Sequence, residues 1–442
     1  MKINKIKRLT AVILAVLLGT LTLTNTTIFA EEKNSSIVDS TTQKTQKLAD
    51  DVAGKTKEKS WPDEIEITAP NAIVMEVNSG TILYEKNSHE KHYPASITKI
   101  MTTYLAVENS SLDEVVKYSA DAVFKNEGNS SHIARDEGEE MSLEQSLYAV
   151  MLESANECAY AVAEHVGEKK GGDYKTFIRM MNSKAKELGC KDTHFNNSNG
   201  LPDEQHYTTA YDMALISCAA YKNADFRKIA TTKKYTISPT NKHPEETFLQ
   251  NHHAMMYPRK TRKYLYDGCV GGKTGYTVAA NNTLVTYANR GNMTLCCVIL
   301  NAQRPDHYTN TAQLFDYCFD KFENVNIYQN LKDKTIAGKK ANMSTQKYVT
   351  VPKDVKLSNC QRELIKESKN GKNKRMYLQF SYGNHIVGKT EITFDKSNKN
   401  EGLKAINLKG NRKKVIGISV LVALMLGVIV AARIRKIKNN KR

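Results

Sequence analysis

Pro94-Ala95-Ser96-Ile97-Thr98-Lys99-Ile100-Met101-Thr102-Thr103-Tyr104-Leu105 marks the point where strand patterning gives way to helix, and it carries a potentially reactive pair of side chains. Ser96 falls in the first helical turn, where backbone N–H groups are unpaired and the helix dipole is positive. A spacing of three puts Lys99 on the same face as Ser96. A buried lysine can lose its proton near neutral pH, and the neutral amine can take a serine hydroxyl proton. A capping serine beside a surface lysine has the same spacing. Ser-x-x-Lys also recurs at Ser88, Ser183 and Ser344, so the pair gains meaning only from its neighbours.

Upstream of this stretch, Ala72-Ile73-Val74-Met75-Glu76, Asn78-Ser79-Gly80 and Thr81-Ile82-Leu83-Tyr84 predict a strand, a turn and a strand. Downstream, helical patterning runs to about Tyr221. Strand patterning returns at Val270 to Tyr276, Thr283 to Ala288 and Thr294 to Asn301, with a closing helix at about Thr311 to Phe322. Strands, a helical block and strands again predict an α+β fold, an antiparallel sheet carrying a helical subdomain.

Two further motifs follow Ser96 in order. Ser142-Leu143-Glu144-Gln145 is a capping box for a helix running toward Glu153, and Ser154-Ala155-Asn156 comes at its end, at an interruption between helices. A hydroxyl there can relay a proton and an Asn amide can hold a carbonyl; a plain turn would use the same residue types. Asp267-Gly268-Cys269-Val270-Gly271-Gly272-Lys273-Thr274-Gly275-Tyr276-Thr277 is a glycine-rich approach to a strand. Glycine lets another backbone or a ligand come close, and Lys273 with Thr274 suits a carboxylate. It is no phosphate loop, because position 267 is Asp where that motif needs Gly. Lys-Thr-Gly occurs once in the chain.

The ordered set, with Tyr93-Pro94-Ala95-Ser96-Ile97-Thr98-Lys99, Asn199-Gly200-Leu201-Pro202, Gln205-His206 and Thr209-Ala210-Tyr211-Asp212-Met213-Ala214, resembles the low-molecular-mass penicillin-binding proteins that are D-alanyl-D-alanine carboxypeptidases. The resemblance covers about Glu64 to Lys404. It implies a β-lactamase/transpeptidase-like fold and removal of the terminal D-alanine from peptidoglycan stem pentapeptides, with β-lactams as covalent inhibitors and no cofactor. It implies Ser96 as nucleophile, Lys99 as general base and Ser154 as proton relay. Asn156, Lys273, Thr274, Gly275 and Tyr276 become substrate-binding residues, with the N–H groups of Ser96 and Tyr276 as oxyanion hole. Asn199 and Tyr276 stand where the family often has His, which bears on specificity.

A class A β-lactamase would share the first and third motifs. It also needs a Glu to activate the deacylating water, and no Glu-x-x-Leu-Asn or Glu-x-x-Ile-Asn stretch follows Asn156. A transpeptidase, which passes the same acyl group to an amine, remains open. So does a non-enzymatic wall-binding protein. Arg304 is a candidate carboxylate contact or a surface residue. His206, His252 and His253 have no zinc spacing and are expected to be structural or surface groups.

The ends of the chain predict export and anchoring. Residues 1–30 have a basic start, an apolar run and Ala30 as a cleavage point, the pattern of a signal peptide. Residues 31–63 form a polar leader. The catalytic domain is expected at 64–323 and a small all-β domain at 324–404. Residues 415–432 are uncharged and, at about 27 Å as a helix, long enough for a transmembrane anchor. The basic tail 433–442 would lie in the cytoplasm, so the catalytic domain would be extracellular at the cell membrane. The net charge of +17 suits solubility or anionic wall polymers, and no nucleic-acid module accompanies it. Eight scattered cysteines show no zinc spacing, and sequence leaves any disulfide pairing open.

Overall fold

The computed structural model describes residues 61–125, 130–369 and 373–394. The expected signal peptide, most of the leader, the 415–432 span and the basic tail lie outside the described residues. Among the described residues, no helix is long and apolar enough to cross a membrane.

The first strands are β1 (Asn71–Glu76) and β2 (Ile82–Lys86). A tight turn of residues Ala95–Thr98 leads into α1 (Lys99–Asn109), and α2 is Ala120–Phe124. A short hairpin, β3 (Val115–Lys117) and β4 (Glu140–Ser142), precedes α3 (Leu143–Tyr148), whose capping box joins Ser142 and Gln145 as expected. Helices α4 (Asn156–Lys169), α5 (Tyr174–Glu187), α6 (Ala210–Lys222) and α7 (Ala224–Ala230) complete the helical block. The hairpin β5 (Lys234–Ile237) and β6 (Thr247–Gln250) follows, then β7 (Cys269–Thr277), β8 (Asn281–Arg290), β9 (Met293–Ala302) and α8 (Asp306–Lys321).

The central sheet is antiparallel throughout, in the order β2-β1-β9-β8-β7. Its inner strands are apolar on both faces because both faces are covered. Residues Leu295 to Leu300 of β9 are all fully buried, and each large apolar side chain buried this way contributes roughly 1.5–3 kcal/mol. Alternation decides which layer each one meets. Tyr287 points to α6, where its hydroxyl donates to the Ser217 carbonyl at 2.9 Å. Cys297 points to α8, its Sγ 3.8 Å from Thr311 Oγ1. This explains why Leu295-Cys296-Cys297-Val298-Ile299 shows no alternation in sequence. All eight cysteines are free thiols, and seven are buried.

Helix α1 is buried from Lys99 through Ala106, the signature of a helix surrounded by others.

The C-terminal strands are β10 (Phe322–Asn326), β11 (Thr335–Ile336), β12 (Lys339–Met343), β13 (Tyr348–Pro352), β14 (Gln361–Lys369), β15 (Asn373–Tyr382) and β16 (His385–Phe394), with a helical turn α9 (Ile327–Asn330) after β10. They form a five-stranded sheet β11-β12-β16-β15-β14 and the pair β10-β13. β10 begins at Phe322, just ahead of the expected domain boundary. Glu76, fully buried at the end of β1, ties this region on. It accepts from the Ser79 N–H at 2.6 Å, the Asn78 N–H at 2.8 Å and Asn324 Nδ2 at 3.0 Å.

Candidate active site

The turn before α1 places Ser96 at the mouth of a cleft and Lys99 beneath it. Ala95 adopts φ of +50° to make that turn, a left-handed conformation that costs a non-glycine residue on the order of 1–3 kcal/mol. The turn is held by Thr283 of β8, whose hydroxyl donates to the Pro94 carbonyl at 2.8 Å. Lys99 is fully buried. Its Nζ lies 2.6 Å from Asn156 Oδ1, 2.6 Å from the Asn199 carbonyl and 3.1 Å from Ser96 Oγ.

In its neutral form Lys99 is placed to accept the Ser96 proton. A neutral amine has two N–H bonds and one lone pair. Two carbonyl oxygens absorb both N–H bonds, which leaves the lone pair for the Ser96 hydroxyl to donate into. Burial pushes the Lys99 ammonium well below its usual range, and the neighbouring Lys273 charge pushes it the same way.

Ser154 and Asn156 reach the site through an irregularity. The helix after α3 widens into a π turn over Ala149–Glu153, and Ser154 closes it at φ 63° and ψ 28°. Such bulges break a helix without ending the run of buried side chains. Ser154 is buried, and its hydroxyl has no hydrogen-bond partner among the described residues. The Asn156 N–H donates to the Ser131 carbonyl at 2.9 Å, which fixes the opposite wall.

β7 forms the other wall, and its glycine is a matter of space. A Cβ at Gly275 would lie 2.3 Å from Thr283 Oγ1 and 2.9 Å from the Ser96 nitrogen. A Cβ at Gly200, whose φ is +89°, would lie 2.0 Å from the Ala95 carbonyl oxygen. Gly275→Ala is expected to cost about 1–3 kcal/mol through overpacking and to lower kcat/KM by roughly 10²-fold by displacing Ser96; thermal unfolding and steady-state kinetics check both.

The result is an open cleft of about 900 Å³, lined among others by Ser96, Ser154, Asn156, Thr274, Gly275 and Tyr276. Lys99 and Lys273 lie under its floor, 0% and 1% exposed. Burial lowers the Lys273 ammonium to about 7, against the opposing pull of Glu153. Tyr276 stands 64% exposed on the rim of the cleft.

Several cleft residues carry no sequence signal. Asn199 contributes its backbone carbonyl to Lys99, a role any residue can fill. His252, expected to be structural or on the surface, lines the cleft along with Arg259 and Arg304. His206 is a buried structural group. Its Nδ1 accepts from the Asn196 N–H at 2.9 Å and its Nε2–H donates to Thr98 at 2.9 Å. Burial lowers its pKa to about 3, so it stays neutral.

A buried amine poised on a serine hydroxyl, at the junction of a helical block and an antiparallel sheet, defines a serine peptidase that uses lysine in place of histidine. The family model for D-alanyl-D-alanine carboxypeptidases, the S11 peptidases, matches residues 34–304, and the chain belongs to that family. It is a serine peptidase, a hydrolase. It is 33% identical over 292 residues to the D-alanyl-D-alanine carboxypeptidase DacF of Bacillus subtilis (strain 168), covering 65% of this chain and 70% of that one. It is 31% identical over 263 residues to the D-alanyl-D-alanine carboxypeptidase of Streptomyces sp. (strain K15), covering 57% of this chain and 88% of that one. The crystal structure of the Streptomyces K15 DD-transpeptidase aligns with a TM-score of 0.53 at 30% identity, over 58% of this chain and 99% of that one. The structure of the D-alanyl-D-alanine carboxypeptidase DacD from Francisella tularensis aligns with a TM-score of 0.56 at 23% identity, over 77% of this chain and 96% of that one. That likeness is one of fold.

Proposed function

We propose that the chain removes the terminal D-alanine from peptidoglycan stem pentapeptides through an acyl-enzyme on Ser96. The buried Lys99 Nζ, 3.1 Å from Ser96 Oγ and 2.6 Å from two carbonyl oxygens, is the observation that carries this reading. Ser96 Oγ attacks the carbonyl between the two D-alanines while Lys99 takes its proton. The oxyanion is held by the N–H groups of Ser96 and Tyr276, each worth roughly 3–4 kcal/mol in comparable sites. Ser154, whose buried hydroxyl is unpartnered among the described residues, relays the proton to the leaving D-alanine amine. Asn156 holds a substrate carbonyl as well as Lys99. Lys273 and Thr274 bind the terminal carboxylate, and Gly275 lets the peptide lie against β7. Water then attacks the ester, with Lys99 again as base. β-Lactams imitate the D-alanyl-D-alanine end and acylate the same serine.

The likeness to the Streptomyces DD-transpeptidase supports a second outcome at the same ester, transfer to an amine in place of water. In this reading residues 64–323 form the catalytic domain, exported by residues 1–30 and held at the outer face of the cell membrane by residues 415–432, with residues 324–404 as an intervening β domain. Incubation with a synthetic pentapeptide stem, with and without an added amine acceptor, tests the function. Loss of one alanine supports hydrolysis and a peptide of higher mass supports transfer. An unchanged pentapeptide overturns both.

A further inference from the structure

The residues lining the cleft include three cations, Arg259, Lys260 and Arg304, and no aspartate or glutamate. Two of the cations, Arg259 and Lys260, are exposed residues of the loop between β6 and β7, and the reaction above uses neither. That loop is fixed at both sides of the cleft. The His252 N–H donates to the Leu152 carbonyl at 3.3 Å and His252 Nε2 lies 2.6 Å from Glu153, which seats the loop against the residues just before Ser154. His253 Nε2 lies 3.0 Å from Thr286 Oγ1 of β8, and a Cβ at Gly272 would meet that nitrogen at 2.9 Å, so the loop also abuts the residue before Lys273. Farther on, the Tyr264 ring stacks on Tyr308 of α8 with centroids 5.0 Å apart. Beside Tyr308, His307 is 4% exposed and lines the cleft, and its Nδ1 has no hydrogen-bond partner among the described residues. Arg259 approaches Glu153 through one nitrogen at 3.4 Å, which leaves most of its five N–H donors for a ligand.

The cleft is therefore polarised along β7. The loop that carries Arg259 and Lys260 adjoins Ser154 and the Lys273 end of the strand, where the departing D-alanine is held. Tyr276 is three residues along, about 10 Å away, and Leu201, Pro202 and Val278, which line the cleft with it, carry no charge. The donor stem ends at the carboxylate taken by Lys273 and Thr274, so no part of it continues to Arg259 and Lys260. Once D-alanine has left, an amine that attacks the ester retraces the path of the leaving amine and enters from this same end.

We propose that Arg259 and Lys260 form an acceptor subsite that favours amines bearing a second carboxylate. The proposal rests on the transfer reading of the Ser96 ester. The acceptor's first carboxylate, on the carbon that bears the amine, replaces the D-alanine carboxylate at Lys273 and Thr274. The second carboxylate reaches the two loop cations. The amine nitrogen bonds to the acyl carbon as the bond from that carbon to Ser96 Oγ breaks. The proton that the amine gives up passes through Lys99 to Ser96 Oγ, leaving an amide and the free serine.

The test incubates the purified full-length protein with a pentapeptide stem and either D-glutamate or D-glutamine, which differ in one carboxylate. Mass spectrometry reads the ratio of transfer product to hydrolysed tetrapeptide. D-Glutamate should give a ratio roughly 5- to 10-fold above that of D-glutamine at low ionic strength, and the difference should shrink as salt is added. Arg259→Gln combined with Lys260→Gln should bring the two acceptors level while hydrolysis without an acceptor is unchanged. Arg259→Lys, which keeps the charge, should retain most of the preference. Equal ratios in the wild-type protein, a preference that persists in the double variant, or hydrolysis with no transfer to either amine would overturn the proposal. A wild-type protein that leaves the pentapeptide intact would instead overturn the functional reading beneath it.

Discussion

Ser96→Ala is expected to lower pentapeptide hydrolysis by roughly 10⁴-fold or more while the protein stays folded and still binds substrate. The side chain lost is one hydroxyl at a half-buried position, and its hydrogen-bond partner is Lys99. A change of that kind away from packing usually alters stability by about 0.5 kcal/mol or less. The left-handed backbone at Ala95, the Thr283 bond to Pro94 and the close approach of Gly275 all survive, because none uses the Ser96 side chain. What disappears is the atom that forms the ester. Steady-state kinetics and thermal unfolding of the two proteins check the result. Comparable turnover in the alanine variant would mean that the reaction does not pass through Ser96.

Lys99→Met is expected to lower kcat/KM by about 10³- to 10⁴-fold, and Lys99→Arg to fail as badly. The pair of variants separates the role of a base from that of a charge. Methionine fills the volume but leaves the buried Asn156 Oδ1 without the Lys99 donor, at roughly 1–3 kcal/mol. Arginine keeps the positive charge at every accessible pH and offers no lone pair. If Lys99 served only to stabilise negative charge, arginine would recover much of the activity. Single-turnover acylation rates for both variants decide between these outcomes.

Much of the fold was legible in the sequence because the central strands are long and sharply bounded. β1, β2, β7, β8 and β9 all fall where the apolar runs and turn residues put them. The hairpin β5–β6 was not expected, since Lys234–Ile237 and Thr247–Gln250 are only four residues each and flank a polar loop. Helix α8 starts at Asp306, ahead of the expected Thr311, because His307, Tyr308 and Asn310 are buried yet give no apolar periodicity. Strands β11, β12 and β14 were missed for a similar reason. Their residues are mostly polar, and they are fixed by pairing with neighbours that no local pattern reveals.

The candidate site was legible to the extent that chemistry needs particular side chains. Ser96, Ser154, Asn156, Thr274, Gly275 and Tyr276 line one cleft, with Lys99 and Lys273 beneath it. What escaped sequence reasoning acts through backbone or through distant partners. The Asn199 carbonyl that occupies one Lys99 N–H has no residue signature. Nor does Glu153, whose position next to Ser154 in the chain says nothing of His252 and Arg259, about a hundred residues away.

The most direct test of the account is mass spectrometry of the full-length protein after brief exposure to benzylpenicillin. The protein should gain the mass of one antibiotic molecule, and proteolytic mapping should place it on the peptide that contains Ser96 and no other. No added mass, or added mass on the peptide that carries Ser154, would contradict a lysine-activated nucleophile at Ser96.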